Sequence, residues 1–372
     1  MKRRKLILVM STIFKVRGGI PRFNQMLCMA LDELSPSMGL DVVVISQDDT
    51  EQDYEDHGRP WRHLRLVPAG GQLGVLTTAF RHCLREHPDL MIIGLLGMTP
   101  VGLVCLPFLG EGYAFIVHGV EAWHEPRLTR RLSARRARMV FAVSRHTGQS
   151  LTQSTGVPAR RVRWLPNTLS PGFEMEPERS EVEDSDDSIR LLTVARLWAD
   201  EHRKGVDHTI EAVARLGARE PRLRFTIVGK GEDKPRLVGL AESLGVADRI
   251  DFRQDLSDEE LAEEYRRCSI FVLPSGQEGF GIVFLEAMRF SKPCIGGNEG
   301  GTPEVIAEGE SGFLVPFGDV DALVRRLETL LADPELRRSM GIAGRRRLLD
   351  HFTYEAFRSR LADHLEGFFD PS

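Results

Sequence analysis

Short apolar runs alternate with periodic polar and apolar segments along most of the chain. In the first half, the apolar runs occupy residues 6–10, 41–46, 90–96, 113–118, 139–144 and 162–166. In the second half, they occupy residues 189–196, 223–229, 249–253, 269–274, 292–297 and 312–316. Segments between them, such as residues 23–34, have the spacing of helices. The alternation predicts parallel strands connected by helices on both faces of a sheet.

The two series of strands are separated by an acidic stretch. Residues 174–188 contain eight acids, one arginine and almost no apolar side chain. This composition predicts a solvated linker at residues 171–188. We therefore expect an N-terminal domain at residues 1–170 and a C-terminal domain at residues 189–352, each with a Rossmann-like, doubly wound α/β sheet. A final amphipathic helix within residues 353–372 is expected to pack back on the N-terminal domain.

Length and charge agree with this organisation. A chain of 372 residues is longer than one hydrophobic core usually supports. The net charge of −5 gives no reason to expect nucleic acid as the main partner.

The five cysteines are dispersed without CxxC spacing, which indicates reduced thiols in a cytosolic protein rather than disulfides or a zinc site.

Two segments have features of membrane-directed sequences. The basic and apolar N-terminus is similar to a signal peptide, but its apolar run is short and no small-residue cleavage site follows, so we interpret it as a buried first strand. Residues 90–110 carry no charge and are long enough to span a bilayer. Pro100, Pro107 and four glycines in this segment favour instead a strand, a turn and a short buried helix.

Glycines and cations follow several predicted strands, which is where doubly wound sheets bind ligands. Gly18 and Gly19 open a helix whose exposed amides suit an anion, although a tight turn without a ligand explains them equally well. Arg196 and Lys204 follow the first strand of the second domain, and two cations there suit a diphosphate leaving group. His118 ends another strand and can bond to a ligand, but a lone histidine is more often structural.

The segment EGFGIVFLEA, residues 278–287, carries two acids among glycines and apolar residues. Glu278 is predicted to lie in a loop after a buried strand, and Glu286 in the second turn of a helix that begins near Gly281. Ionised carboxylates accept hydrogen bonds from pairs of sugar hydroxyls. The backbone at 279–281 can approach a ligand closely because two of its residues lack side chains. We expect one acid to bind a sugar ring and the other a ribose diol, with amides at the phosphate between them.

An ordered set of motifs in this chain resembles that of the family-4 glycosyltransferases. It comprises Gly-Gly at 18–19, His-Gly at 118–119, AVSRHT at 142–147, LPN at 165–167, VARL to KG at 194–205, VGKG at 228–231, the E-x7-E pair at 278 and 286, GGTPEVI at 300–306 and SGFLVP at 311–316. The resemblance covers nearly the whole chain. No single motif is decisive, but the ordered set is highly specific.

The resemblance implies the GT-B fold, in which two Rossmann-like domains face each other across a cleft. It implies a retaining hexosyltransferase that uses a nucleotide sugar, GDP-mannose or a UDP-hexose, as its donor. The acceptor would be a glycan or a lipid-linked glycan in cell-surface polysaccharide or glycolipid synthesis. No cofactor and no metal would be required, because the nucleotide sugar is a co-substrate.

The resemblance also implies a role for each matching position. Arg196 and Lys204 would hold the diphosphate, Glu278 the transferred sugar and His118 a position over that sugar near the reacting carbon. The implied donor-binding residues are Gly18, Gly19, Gly229, Gly279, Phe280, Gly281 and Glu286, the last of them at the ribose hydroxyls. Three departures leave the donor open: the longer gap between Arg196 and Lys204, Thr168 after the PN pair, and Gln254 in the loop that would hold the base.

Two DxD strings suggest a metal site at first sight. Asp184 and Asp186 belong to the acidic linker, and Asp319 and Asp321 precede a predicted helix for which Asp319 is a natural N-cap. We therefore expect neither string to bind a metal.

Six arginines lie within residues 127–138. A helix on anionic lipid and a solvated basic face explain them equally well. With the basic residues at 2–5, they suggest a cytoplasmic protein that binds peripherally to the inner face of the membrane and uses a membrane-borne acceptor.

Other functions remain open at this stage. A nicotinamide oxidoreductase is disfavoured because no predicted strand is followed by GxGxxG and a downstream acid. A nucleotide-sugar epimerase or hydrolase of the same fold, and a non-catalytic polysaccharide-assembly protein, are the alternatives. The complete set of leaving-group residues argues against a non-catalytic role.

Overall fold

The computed structural model describes residues 3–16, 18–171 and 188–369. The chain forms two compact units. The first extends to Ser170 and also includes the C-terminal segment from Tyr354, and the second runs from Pro171 to Thr353. Most of the predicted acidic linker, residues 172–187, lies outside the described residues.

The first unit contains a seven-stranded parallel sheet with the strand order β3-β2-β1-β4-β5-β6-β7. The strands are β1 (Arg4–Met10), β2 (Leu40–Ser46), β3 (Leu64–Pro68), β4 (Leu90–Ile93), β5 (Gly112–Val117), β6 (Met139–Ala142) and β7 (Val162–Trp164). The helices are α1 (Gly19–Met38), α2 (Glu51–Asp56), α3 (Gln72–Glu86), α4 (Thr99–Cys105), α5 (Val120–Trp123), α6 (Leu128–Arg136), α7 (Arg145–Thr155) and, from the C-terminus, α15 (Tyr354–Phe369).

The second unit contains a six-stranded parallel sheet with the order β10-β9-β8-β11-β12-β13. The strands are β8 (Ile189–Val194), β9 (Leu223–Val228), β10 (Ile250–Arg253), β11 (Ile270–Leu273), β12 (Cys294–Gly297) and β13 (Gly312–Val315). The helices are α8 (Val206–Gly217), α9 (Lys234–Ser243), α10 (Asp258–Arg267), α11 (Ile282–Arg289), α12 (Thr302–Val305), α13 (Val320–Ala332) and α14 (Pro334–His351).

Both sheets confirm the prediction of two doubly wound α/β units. In each sheet the direction of strand progression reverses once, between β1 and β4 in the first and between β8 and β11 in the second. Crevices beyond the carboxyl ends of the strands at such reversal points are the usual ligand sites of these folds. The loops that carry the predicted site residues follow β1, β5, β8, β9 and β11, at or beside these points.

Among the described strands, β3 is one that the sequence pattern did not predict. It is short and lies at the edge of the sheet, where it pairs with β2 alone. Its side chains alternate, with Leu64 and Leu66 buried and Arg65 exposed, so it lacks the continuous apolar run of the inner strands.

The two segments with membrane-like features fold as the strand interpretations predicted. The N-terminal apolar run is the buried strand β1. Residues 90–110 form β4, a short 3-10 helix at Leu96–Met98, α4 and a second 3-10 turn at Leu106–Phe108. In the described part of the chain, we find no helix with the length and apolar character needed to cross a bilayer.

Candidate functional site

The loop after β8 carries the two predicted diphosphate ligands. It leaves the sheet at Val194, and its backbone is bonded to the loop after β9: the Leu197 amide donates to the Lys230 carbonyl over 2.9 Å. A Cβ on Gly229 would lie 1.8 Å from the Ala195 carbonyl oxygen. Only glycine therefore permits this approach of the two loops, which explains Gly229 without a ligand.

Arg196 and Lys204 each have an acidic partner. The Arg196 guanidinium forms an ion pair with Glu201, and the Lys204 ammonium lies 2.8 Å from Glu278 Oε2. The Lys204 and Glu278 side chains are 21% and 16% exposed, whereas Arg196 is 67% exposed. Glu201 lies in the longer gap between the two cations, where the chain forms a 3-10 helix, Ala199–Lys204. A small pocket beside this loop is also lined by Asp233 and Arg236.

The loop after β11 packs closely against the loop after β8 through backbone contacts. The Gly276 amide donates to the Arg203 carbonyl over 2.8 Å. Gly205 has φ of 70°, and a Cβ there would lie 2.6 Å from the Pro274 carbonyl oxygen. These close backbone contacts place Lys204 beside Glu278, so the structure brings two predicted site residues together.

The Gly-Phe-Gly segment lies where the sequence predicted, at the start of a helix. Gly281 is the N-cap of α11 with φ of 93°, and Phe280 is buried. The GGTPEVI motif packs directly against this segment: the Gly301 amide donates to the Glu278 carbonyl over 2.7 Å, and a Cβ on Gly301 would lie 2.3 Å from the Gly279 carbonyl oxygen. The backbones of the two motifs are therefore in direct contact.

Glu286 is a buried carboxylate in α11, with 5% of its surface exposed. The Tyr265 hydroxyl, from α10, donates a hydrogen bond to Glu286 Oε2 over 2.7 Å. Tyr265 is itself buried and stacks on Phe290 with ring centroids 6.0 Å apart. Sequence reasoning missed Tyr265, because it precedes Glu286 by 21 positions on a different helix.

In the first unit, Gly18 and Gly19 are exposed at the start of α1, with Pro21 in the first turn as predicted. The loop before them is held by Asp49, a buried residue after β2 that sequence reasoning also missed. Its carboxylate accepts bonds from the amides of Ile13, Phe14 and Lys15 over 2.6, 2.8 and 2.9 Å. The available signal was a charged side chain three residues after a predicted strand.

His118 follows β5. Its Nε2 lies 3.0 Å from the Gly94 carbonyl oxygen, and its backbone amide donates to Glu121 Oε1 over 2.7 Å. Because a carbonyl only accepts, this contact requires the hydrogen on Nε2 and leaves Nδ1 of the neutral ring as an acceptor. Burial lowers the pKa of His118, although Glu121 and the Gly94 carbonyl act in the opposite direction. Nδ1 of this ring can therefore accept a hydrogen bond from a hydroxyl group.

Of the two DxD strings, Asp184 and Asp186 lie outside the described residues. Asp319 is the N-cap of α13 and accepts from the Ala322 amide over 2.8 Å, which confirms the predicted cap. Asp321 forms an ion pair with Arg215. Within residues 3–16, 18–171 and 188–369, no group of three or more potential ligands (His, Cys, Asp or Glu) is arranged to hold a metal.

Comparison with known proteins agrees with the motifs. The family model described as Glycosyltransferase Family 4 matches residues 17–172, and the one described as Glycosyl transferases group 1 matches residues 174–347. A relative in Mycolicibacterium smegmatis, a GDP-mannose-dependent alpha-(1-6)-phosphatidylinositol monomannoside mannosyltransferase, is 32% identical over 62% of this chain and 63% of its own. The match thus spans less than two thirds of that relative's length.

Two solved structures share the fold. Sucrose-phosphate synthase from Thermosynechococcus elongatus has a TM-score of 0.81 and 21% identity and covers 99% of this chain and 100% of its own. Anabaena HepE, in complex with UDP, has a TM-score of 0.77 and 20% identity and covers 98% and 100%. Likeness at this identity establishes the two-unit α/β architecture.

Proposed function

Since this chain belongs to the family-4 glycosyltransferases and has their GT-B fold, we propose that it transfers a hexosyl unit from a nucleotide sugar with retention of configuration. The donor is GDP-mannose or a UDP-hexose, and the acceptor is a glycan or lipid-linked glycan in cell-surface polysaccharide or glycolipid synthesis. A GDP-mannose-dependent relative and a UDP-bound structural neighbour support these two donors.

The observation that carries the proposal is the contact between Lys204 and Glu278. It joins a cation suited to a diphosphate to an acid suited to a sugar, at the reversal point of the second sheet. In the proposed reaction, Lys204, which is mostly shielded from water, and the more exposed Arg196 neutralise the charge that develops on the leaving diphosphate. The amides of Gly18 and Gly19, at the start of α1, are the proposed anion ligands of the first unit.

Glu278 and the backbone of Gly279, Phe280 and Gly281 bind the transferred sugar in this proposal. Glu286 accepts bonds from the ribose hydroxyls, a role for which a buried and oriented carboxylate is suited. His118 accepts a bond from a sugar hydroxyl through Nδ1, close to the reacting carbon. With two cations at the leaving group, no metal is required, and we propose that the reaction is metal-independent.

We also propose that the acceptor is membrane-borne and that the protein works in the cytoplasm, in peripheral contact with the inner face of the membrane. The basic segment at 127–138 supports this. The helix α6 that it forms carries arginines on exposed positions.

Thermal-shift screening tests the donor most directly, because a ligand that binds only the native state raises the melting temperature. We expect one of GDP, UDP and their sugar conjugates to stabilise the protein far more than the others. Absence of stabilisation by every nucleotide sugar would contradict the proposal. Free sugar or a 2-epimer produced without acceptor would instead favour the hydrolase or epimerase alternative.

A further inference from the structure

Three neighbouring helices, α3, α4 and α6, cover one face of the first sheet. Their inner residues, including Val75, Val101 and Ala134, belong to one hydrophobic cluster. The Phe80 ring of α3 makes an edge contact at 5.6 Å with Phe108, in the 3-10 turn that follows α4, and Thr99 Oγ1 of α4 lies 2.7 Å from Ser133 Oγ of α6. Their outer surface is therefore one continuous region of the unit, which we call the three-helix face (α3, α4 and α6).

The three-helix face exposes large apolar side chains. On α3, Leu73, Phe80 and Leu84 are 74%, 36% and 51% exposed, and their positions recur with the period of one helical stripe. Four more follow on the neighbouring helices: Leu103 and Val104 on α4, and Leu128 and Leu132 on α6. These are seven of the thirteen exposed large hydrophobics in the described part of the chain. Such concentration marks an interaction surface.

The three-helix face is also strongly basic. Helices α3 and α6 contain six arginines, at positions 81, 85, 130, 131, 135 and 136, and Arg127 is the N-cap of α6. Glu86 is the one acid of the three helices, and Lys5 binds it over 2.9 Å. Glu125 lies in the segment before α6. The excess of positive charge is local, because the whole chain has a net charge of −5.

The structure also shows which of the basic residues at 2–5 and 127–138 are already engaged in contacts within the unit. The Arg4 guanidinium lies over the Phe369 ring at 4.4 Å, and Lys5 pairs with Glu86. Arg138 pairs with Glu111, and Arg135 donates to the Thr155 carbonyl over 2.6 Å. These four side chains already have partners within the unit, so they stabilise it, whereas exposed arginines such as Arg127 are available to a ligand.

We propose that the three-helix face docks on an anionic membrane surface. Exposed leucines and phenylalanine insert at the boundary of headgroups and acyl chains, and arginines around them bind anionic headgroups. A second copy of the chain fits less well, because a two-fold contact would set the arginines of one copy against those of the other. The proposal deepens the proposed function, since it names the surface that meets a membrane-borne acceptor.

Two double variants separate the contribution of charge to membrane binding from the contribution of apolar surface. Both variants change exposed side chains. Arg127→Gln with Arg130→Gln removes charge, and Leu128→Ser with Leu132→Ser removes apolar surface. Matched controls on the second unit are Arg219→Gln with Arg346→Gln, and Ile342→Ser with Leu349→Ser. The full chain is sedimented with vesicles of phosphatidylcholine alone or with phosphatidylglycerol added, at low and high salt.

We expect binding to the anionic vesicles and much weaker binding to the neutral ones. The charge variant should lose about tenfold or more in affinity at low salt, since each arginine near an anionic surface contributes separately. The leucine variant should lose the part of the binding that survives high salt, and both controls should bind as the wild type does. Equal binding to neutral and anionic vesicles, or unchanged binding by both variants, would overturn the proposal.

Two further measurements keep the interpretations apart. If sedimentation equilibrium found a dimer that the leucine substitutions dissociate, the three-helix face would belong to a second copy and the membrane proposal would be wrong. Nucleoside diphosphate binding should be the same in all variants, because none of these residues is assigned to the donor. Loss of vesicle binding with intact nucleotide binding supports the docking surface. Vesicle binding by a protein that binds no nucleotide would contradict the proposed function alone.

Discussion

The ammonium of Lys204 lies 2.8 Å from the carboxylate of Glu278, although 74 positions separate the two residues. Both side chains are mostly shielded from water, and both loops are fixed by backbone contacts that only glycine allows. The low exposure of the side chains and the fixed loops hold this ion pair in one geometry. In the proposed function, a donor that enters between these groups meets a cation and an acid already positioned for a phosphate and a sugar.

Arg196→Ala should reduce turnover by about a hundredfold or more, because a contact that strengthens as the leaving group gains charge is lost. The kcat of sugar transfer with saturating donor is the measurement. Arg215→Ala is the matched control, since Arg215 makes a surface ion pair with Asp321 in the same unit. Turnover close to that of the control would remove Arg196 from the proposed role.

Glu286→Gln should weaken the binding of the free nucleoside diphosphate by about tenfold or more, the usual effect of losing hydrogen bonds to a charged group. Tyr265→Phe removes the hydroxyl that donates to Glu286 and should cost a smaller factor, about threefold to tenfold. Calorimetric titration measures both.

The matched ligand for this prediction is the 2′,3′-dideoxy nucleotide, which lacks the hydroxyls that Glu286 is proposed to bind. Neither substitution should change its affinity. If Glu286→Gln weakened ribose and dideoxy nucleotides equally, Glu286 would not be the ribose ligand. If only Tyr265→Phe had no effect, the assignment of Glu286 would stand and the orienting role of Tyr265 would fall.

Stability should decrease as the pH falls below the usual histidine pKa of 6.5. Burial lowers the pKa values of His82, His118 and His364 below that value in the folded protein. The unfolded chain therefore binds protons that the folded chain does not, and the free energy of unfolding falls with pH in that range. Urea unfolding at neutral and at mildly acidic pH measures the effect.

Replacement of two of these histidines provides the control. His82→Gln with His364→Gln should flatten the pH dependence between neutral and mildly acidic conditions. An unchanged slope in this double variant would show that other groups cause the loss of stability.

EDTA should leave transfer activity intact, because the proposed leaving-group charge is neutralised by Arg196 and Lys204. The assay compares the chelated enzyme with enzyme given added divalent metal. Complete loss of activity that Mg²⁺ or Mn²⁺ restores would contradict a metal-independent reaction.

Hydrophobic patterning predicted most of the fold because the inner strands of parallel sheets are buried on both faces and appear as continuous apolar runs. β8 at Ile189–Val194 is an example. β3 at Leu64–Pro68 was missed, since an edge strand with the exposed Arg65 has only one apolar face. The order of motifs along the chain located the loops of the candidate site, since every motif except SGFLVP, which contains β13, follows a strand.

The contacts inside the site could not be predicted in the same way. Asp49 fixes the loop before Gly18 through three backbone amides, and this depends on the path of the chain after β2. Tyr265 reaches Glu286 only because α10 and α11 are brought together by tertiary packing. Asp49 is too far along the chain from the amides that it binds, and Tyr265 from Glu286, for the contact to follow from the spacing of one helix or strand. No local pattern therefore indicated either contact.

The account depends most on a diphosphate site at Lys204. Calorimetric titration of GDP against GMP, and of UDP against UMP, tests it in the wild type, in Lys204→Gln and in the control Arg219→Gln. We predict that one diphosphate binds about tenfold or more tightly than its monophosphate, and that Lys204→Gln alone abolishes most of this preference. An equal preference in all three proteins, or no preference in any of them, would contradict the account.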